Sequence, residues 1–295
     1  MEDSLLNLIN SNSCKCELLG EGFISKSYKL EINSKNYIIL QGQIEDSYNC
    51  YSQSYNNLIF LYNNGNPLIK SLKIPINDIN LINPSQKNSF FKYGGLVYLE
   101  IQGFIFYEKY FDKVNIDNIT DTISLFFKEL YSIPINKDDI IKVKNNKISE
   151  FKSDIQAIKN YFKDKNINEL ITFEKEYLDY LNNFQDYHYI HGDLWEENMI
   201  ISKDLKNLVG LVDFDNFGIN DMAKDYASLL DFGIDFIYIL IEKTKDIIKN
   251  KNDFMKRIKI YEKLIEIEDF AYVLKNNIES KFESKLKNLK KLNLV

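Results

Sequence analysis

From residue 16 to residue 40 apolar and polar positions alternate in short runs broken by small residues. CELLGEGF leads into SKSYKLEIN, a Ser34-Lys35-Asn36 turn follows, and YIIL occupies 37–40. A period of two around a glycine-containing turn predicts two antiparallel strands and then a third. Leu58, Phe60 and Leu61 break that alternation and predict one helix within 50–63, with further strands at 68–74 and at GLVYLEI, 95–101. Beyond Gly103 the period lengthens. ITDTISLFFKELYSI (119–133) brings Ile119, Ile123, Phe126, Phe127 and Leu130 onto one helical face, and Pro134 ends the helix. FEKEYLDYLNNF (173–184) is a second amphipathic helix. NMIIS (198–202), the polar turn KDLKN and LVGLVDF (208–214) make a β-hairpin pattern, and from 222 onward the pattern is helical with charged outer faces. The expected fold class is α+β. A small antiparallel-sheet lobe covers 1–101, a connector lies near 97–103, and a larger, mainly helical lobe covers 102–295.

Composition narrows the partners more than the fold. With 45% apolar residues, the 295 positions suffice for two lobes, each with its own core. The 37 basic and 43 acidic residues leave −6, a field that favours neither nucleic acid nor an anionic membrane. The most apolar run, LLDFGIDFIYILI (229–241), is too short to span a bilayer and carries Asp231 and Asp235, so it reads as a buried helix. Cys14, Cys16 and Cys50 are too few and odd in number for a disulfide framework, which fits a reducing cytoplasm. MEDSLLNLIN has neither the basic start nor the apolar stretch of a signal peptide. Asn, Lys, Ile and Tyr are used so heavily that no single Asn or Lys is informative by itself; Arg257 is the only arginine.

The candidate chemistry lies in HYIHGDLWEENMI, 188–200, which holds both histidines and the only tryptophan. Phosphoryl transfer from a nucleotide needs a carboxylate to orient the attacking hydroxyl and accept its proton. It also needs oxygen ligands for the Mg2+ that screens the phosphates. Asp193 and Asn198 are five residues apart, the separation of base and metal ligand in the protein-kinase loop H-R-D-x-x-x-x-N. Asp213 ends the next β-run, in the place of the D-F-G aspartate. Read singly, Asp193 and Asn198 are turn residues and Asp213 caps a strand; their order together points to a kinase.

HGDLWEENMI and VGLVDFDNFGINDMAKDYASL resemble the aminoglycoside phosphotransferase family, whose pattern runs H-G-D-x-x-x-x-N, I-D-F and a closing D-x-x-x-D matched by Asp221 and Asp225. The resemblance is closest to the 2''-phosphotransferase branch, strongest over 188–226 and weaker over the rest of 18–235. It implies a protein-kinase-like bilobal fold with nucleotide in the cleft. Asp193 would be the catalytic base, and Asn198 and Asp213 the Mg2+ ligands. Asp225 would brace the catalytic loop, and His191 would anchor it. His188 reads as a strand residue. Trp195 either lines the substrate cleft or packs the loop. The donor would be a nucleoside triphosphate, ATP or GTP, and the acceptor a cationic small molecule bearing a hydroxyl. A metabolic kinase for choline, methylthioribose, homoserine or a sugar, or a kinase-like binding protein with degenerate activity, is the alternative.

Gly20-x-Gly22 supplies the expected glycine loop over the phosphates, where absent side chains let backbone amides approach. Tyr98, Leu99, Glu100 and Ile101 of the connector are expected to hold the purine through backbone groups. One element departs from the family. The third strand should carry a phosphate-gripping lysine, and this chain has Leu40 or Gln41 there; the helix that follows has no glutamate over 51–61 to pair with it. A Gln41–Asn57 hydrogen bond could replace the pair, and Lys26 or Lys29 could supply the charge. On the acceptor side stand Asp221, Asp231, Asp235, Glu242, Glu266, Glu268 and Asp269, carboxylates of the kind that match a polycation.

Overall fold

The computed structural model describes residues 16–22, 24–64, 74–76, 78–85, 89–162 and 167–295. The N-terminal segment, Cys14 and all but the last residue of the 68–74 strand lie outside the described residues. The chain divides into two compact units, Met1–Leu130 with Trp195–Phe217, and Tyr131–Leu194 with Gly218–Val295.

The first unit is built on a five-stranded antiparallel sheet in the order β1-β2-β3-β5-β4. Its strands are β1 Cys16–Glu21, β2 Ser25–Ile32, β3 Lys35–Gly42, β4 Asn80–Ile82 and β5 Gly95–Leu99. The β2–β3 turn is Asn33-Ser34, one residue earlier than expected. Both take positive φ, 49° and 62°, as a two-residue hairpin matched to the strand twist requires, and this leaves Lys35 and Asn36 inside β3. Alternation along the strands gives the sheet two apolar faces. On one, Leu30, Ile39, Ile82, Phe91 and Val97 are buried, with Tyr28, Tyr37 and Phe90 against them. On the other, Leu96 and Tyr98 pack with Ile38, Leu40 and Tyr51. Tyr51 comes from helix α1, Ser47–Asn64. A second, three-stranded sheet of β6 (Phe104–Ile105), β8 (Met199–Ile201) and β9 (Leu208–Leu211) completes this unit. Helix α2, Ile116–Ser132, buries all five residues of the predicted stripe, each contributing about 1.5–3 kcal/mol.

In the second unit, helices α3 (Lys137–Tyr161), α4 (Asn168–Asn183), α5 (Ala223–Ser228), α6 (Ile234–Lys243), α7 (Lys251–Lys275) and α8 (Glu279–Lys291) accompany a two-stranded ribbon. The ribbon pairs β7, Tyr187–Ile190, with β10, Gly218–Asp221, antiparallel. Neither α3 nor β10 was expected. Only Phe151, Ile155 and Ile158 of α3 are buried along 25 residues, so its apolar period is faint. The four residues GIND of β10 show no alternation; their pairing with β7 makes them a strand. The 229–241 run is also corrected: a short turn at Leu230–Phe232 is cut from α6 by Gly233, whose φ of 91° interrupts the helix. Among the described residues no helix is long and apolar enough to cross a membrane.

Candidate active site

The expected β8–β9 hairpin forms, and in the first unit it brings Asn198 beside Asp213. Met199 is opposite Leu211, and one step further out the Val212 amide donates to the Asn198 carbonyl at 3.0 Å. Asn198 is 6% exposed. Asp213 follows Val212 with a left-handed φ of 64°, a conformation an Asp tolerates better than most residues. Solvent reaches its carboxyl, but surrounding protein crowds it. This burial, and then the neighbouring Asp215, push its pKa up to about 7. Among the described residues no three or more Cys, His, Asp or Glu side chains group as a metal site. The donors available are an amide and carboxylates, hard oxygens of the kind Mg2+ takes together with water and phosphate. That donor set fits the ion.

Asp193 belongs to the second unit, where β7 delivers His191-Gly192-Asp193. Gly192 has φ 85°, a turn that a side chain would strain. Asp225, on α5, holds it: its carboxylate accepts the His191 amide at 3.1 Å and the Gly192 amide at 2.8 Å. Burial pushes Asp225 up to about 7, against the lowering effect of those two amides. Tyr131 donates to the same carboxylate at 3.4 Å. His191 is fully buried, whereas His188 sits on β7 between the Tyr131 carbonyl (3.0 Å) and Asp186 (3.1 Å). Trp195 is 37% exposed, and its carbonyl accepts the Asn198 amide at 3.0 Å. The sole arginine has a role that its sequence surroundings do not announce. Arg257 bonds the fully buried Asp221 at 2.5 Å, together with Tyr180 and the Ala223 amide, so Asp221 is a structural carboxylate and not part of an acceptor wall.

Gly20 stands in β1 opposite Ser27, with nothing within 4 Å of where a side chain would project. Gly22 closes the loop by donating to the Ser25 carbonyl at 2.8 Å. Gln41 needs correction. It shares the Tyr28–Phe90 face, where its amide donates to the Phe90 carbonyl at 2.5 Å and accepts from Tyr28 at 3.1 Å. Because side chains alternate along a strand, Leu40 is the residue that faces α1, and it takes the lysine's place among Tyr51, Leu96 and Tyr98. The Gln41–Asn57 bond does not form; Asn57 donates instead to the Phe214 carbonyl at 2.7 Å. Both substitute lysines are engaged, Lys26 with Glu21 at 3.3 Å and Lys29 with Glu100 at 2.6 Å.

Of the connector residues, Tyr98 is buried, Leu99 ends β5 opposite Tyr37, and Ile101 follows half-buried. The Glu100 amide is already given to the Asn36 carbonyl at 2.8 Å. Burial would raise the Glu100 carboxyl, but bonds from Lys29 and Asn36 hold it below its ordinary value. Several acceptor-side acids are likewise satisfied within the protein. Glu268 pairs with the largely buried Lys224 at 3.0 Å, Asp269 with Lys285, Glu266 with Asn288 at 2.9 Å and Glu242 with Lys245 at 2.5 Å. Lys224 and Lys285 both feel the charge of Asp193. Burial, then proximity to Lys224, lower Lys147 to about 8.

Residues 146–239, which include Asp193, Asn198, Asp213 and Asp225, match the model of the phosphotransferase enzyme family. No curated protein matches the chain. Solved structures do. The GDP and kanamycin complex of APH(2'')-IIIa superposes with a TM-score of 0.76 at 16% identity, over 99% of this chain and 98% of that one. The gentamicin complex of APH(2'')-IIa gives 0.70 at 17%, over 98% and 96%. Macrolide 2'-phosphotransferase MphH from Brachybacterium faecium gives 0.67 at 9%, over 98% and 97%. The kinase-like α+β fold expected from the sequence is the fold of these structures.

Proposed function

We propose that this chain, which resembles the phosphotransferase enzyme family, is a nucleotide- and Mg2+-dependent small-molecule kinase that moves the γ-phosphoryl group of ATP or GTP to a hydroxyl. The observation that carries the reading is the hairpin that sets Asn198 beside Asp213, five residues after an Asp193 whose loop is braced by Asp225. Asn198 and Asp213 hold Mg2+, which when bound screens the phosphate charge. Asp193 orients the acceptor hydroxyl and takes its proton as the oxygen attacks. Asp225 keeps the His191 and Gly192 amides occupied, and so fixes where the Asp193 carboxylate points. The glycine loop covers the phosphates, and Tyr98 to Ile101 flank the base. Three cysteines, too few and odd in number for a disulfide framework, suit a reducing cytoplasm. Asp193→Ala is expected to lower turnover by roughly 10²- to 10⁴-fold with an unchanged melting temperature; a variant that keeps wild-type turnover refutes the assignment.

Kanamycin and gentamicin in the similar structures support an aminoglycoside acceptor. The paired state of Glu266, Glu268 and Asp269 favours a second reading, in which the acceptor is less cationic, because those carboxylates already have partners. Initial rates on a panel of kanamycin, gentamicin, choline, methylthioribose, homoserine and a hexose separate the two.

A further inference from the structure

Kinases tie the helix after the third strand to that strand through a lysine–glutamate pair. Here neither member exists. Leu40 lies in an apolar cluster, and α1 carries no acidic residue from Ser47 to Asn64. Helix α1 is tied elsewhere. Asn57 donates its side-chain amide to the carbonyl of Phe214, 157 residues further along the chain, at 2.7 Å. One turn on, the Phe60 ring lies 6.0 Å from that of Phe217. The Phe214 carbonyl also accepts the Phe217 amide at 3.2 Å, so two donors pin the peptide that follows Asp213 and Phe214. Asp213 is left-handed, and such a backbone persists only where its surroundings over-determine it. Relaxing Asp213 toward the β region would swing the Phe214 carbonyl away from Asn57.

We propose that Asn57 is a positioning residue: its amide clamps the Phe214 carbonyl and so holds the Asp213 carboxylate in the orientation that receives Mg2+, anchoring α1 to this loop where no lysine–glutamate pair anchors it to the third strand. This rests on the reading of Asp213 as an Mg2+ ligand. The side-chain hydrogen bond of Asn57 goes to a backbone carbonyl, so its effect passes through the loop geometry. Residues that orient metal ligands in this way typically change metal affinity by roughly 10- to 100-fold when removed.

The test is a Mn2+ titration of the full chain by electron paramagnetic resonance, with a non-hydrolysable nucleoside triphosphate analogue at saturation. Asn57→Leu keeps the volume and loses the donor; Asn57→Gln keeps an amide donor. Asn57→Leu is expected to weaken Mn2+ binding roughly 10- to 100-fold. Binding of the analogue without metal should stay within about twofold, since Asn57 is assigned a part in orienting the metal ligand and none in holding the nucleotide. Asn57→Gln should recover part of the loss. If Asn57→Leu does not fold, Asn57→Ala takes its place in the same titration. Wild-type Mn2+ affinity in the donor-less variant overturns the proposal, and so does an equal loss in Asn57→Gln, because the loss would then not follow the amide donor. A wild-type chain that binds neither Mn2+ nor the analogue overturns the reading of function as well; normal wild-type binding with an indifferent Asn57→Leu overturns this proposal alone.

Discussion

Leu40 and Asp225 show how differently single residues are constrained here. Leu40 is apolar where the kinase pattern has a cation, and it packs with Tyr51, Leu96 and Tyr98. Leu40→Lys would place an ammonium among these side chains with no acid on α1 to receive it. It should therefore destabilise the ligand-free protein by about 1–3 kcal/mol while tightening nucleotide binding, a trade readable from urea unfolding beside a nucleotide titration. Asp225 satisfies two backbone amides, so Asp225→Ala should cost roughly 2–5 kcal/mol, as two donors lose their acceptor. Its pKa is raised from 3.8 to about 7 on folding. The folded state therefore binds the proton more tightly, and this group's contribution is full below pH 4 and lost as pH rises through about 7. Compared with Asp225→Asn, wild-type stability should fall across that window; a parallel pair of pH profiles would remove the titration from Asp225. Asp193, Asn198 and Asp213 could be proposed from the sequence because phosphoryl transfer needs fixed residue types at fixed spacing. Asn57 and Arg257 could not, since each is defined by a partner far along the chain, Phe214 and Asp221.

At the scale of elements, legibility followed the strength of local period. α2 declares itself through five apolar positions on one face, and the β8–β9 hairpin through two apolar runs around KDLKN. α3 and β10 were missed because burial of a few side chains and pairing with β7 decide them. Gly233 is the punctuation that splits the 229–241 run. Its φ of 91° and ψ of 160° lie in a region essentially reserved for glycine, and nothing stands within 4 Å of where a methyl group would project. Gly233→Ala should therefore destabilise by about 1–3 kcal/mol through backbone strain alone, seen as a lower urea midpoint with an unchanged slope.

For the whole molecule the decisive expectation is linkage. If nucleotide and Mg2+ bind the native state only, a hundredfold excess over Kd adds about 2.7 kcal/mol, a rise in Tm of roughly 4 °C for a chain of this size. Chelating the metal should remove most of that rise, and an unmoved Tm would leave the kinase-like binding protein without turnover or ligand. Hydrophobic period and motif order by themselves determined the α+β kinase-like class, the β8–β9 hairpin and the residues proposed for chemistry, because each depends on neighbours close in sequence. Tertiary structure alone decided that Leu40 and not Gln41 stands at the lysine position, that Lys29 is spent on Glu100, that Arg257 neutralises Asp221, and that α1 is tied to Phe214 through Asn57. Each of these is a choice of partner. Strand alternation and long-range packing make such choices, and a one-dimensional pattern holds no record of them.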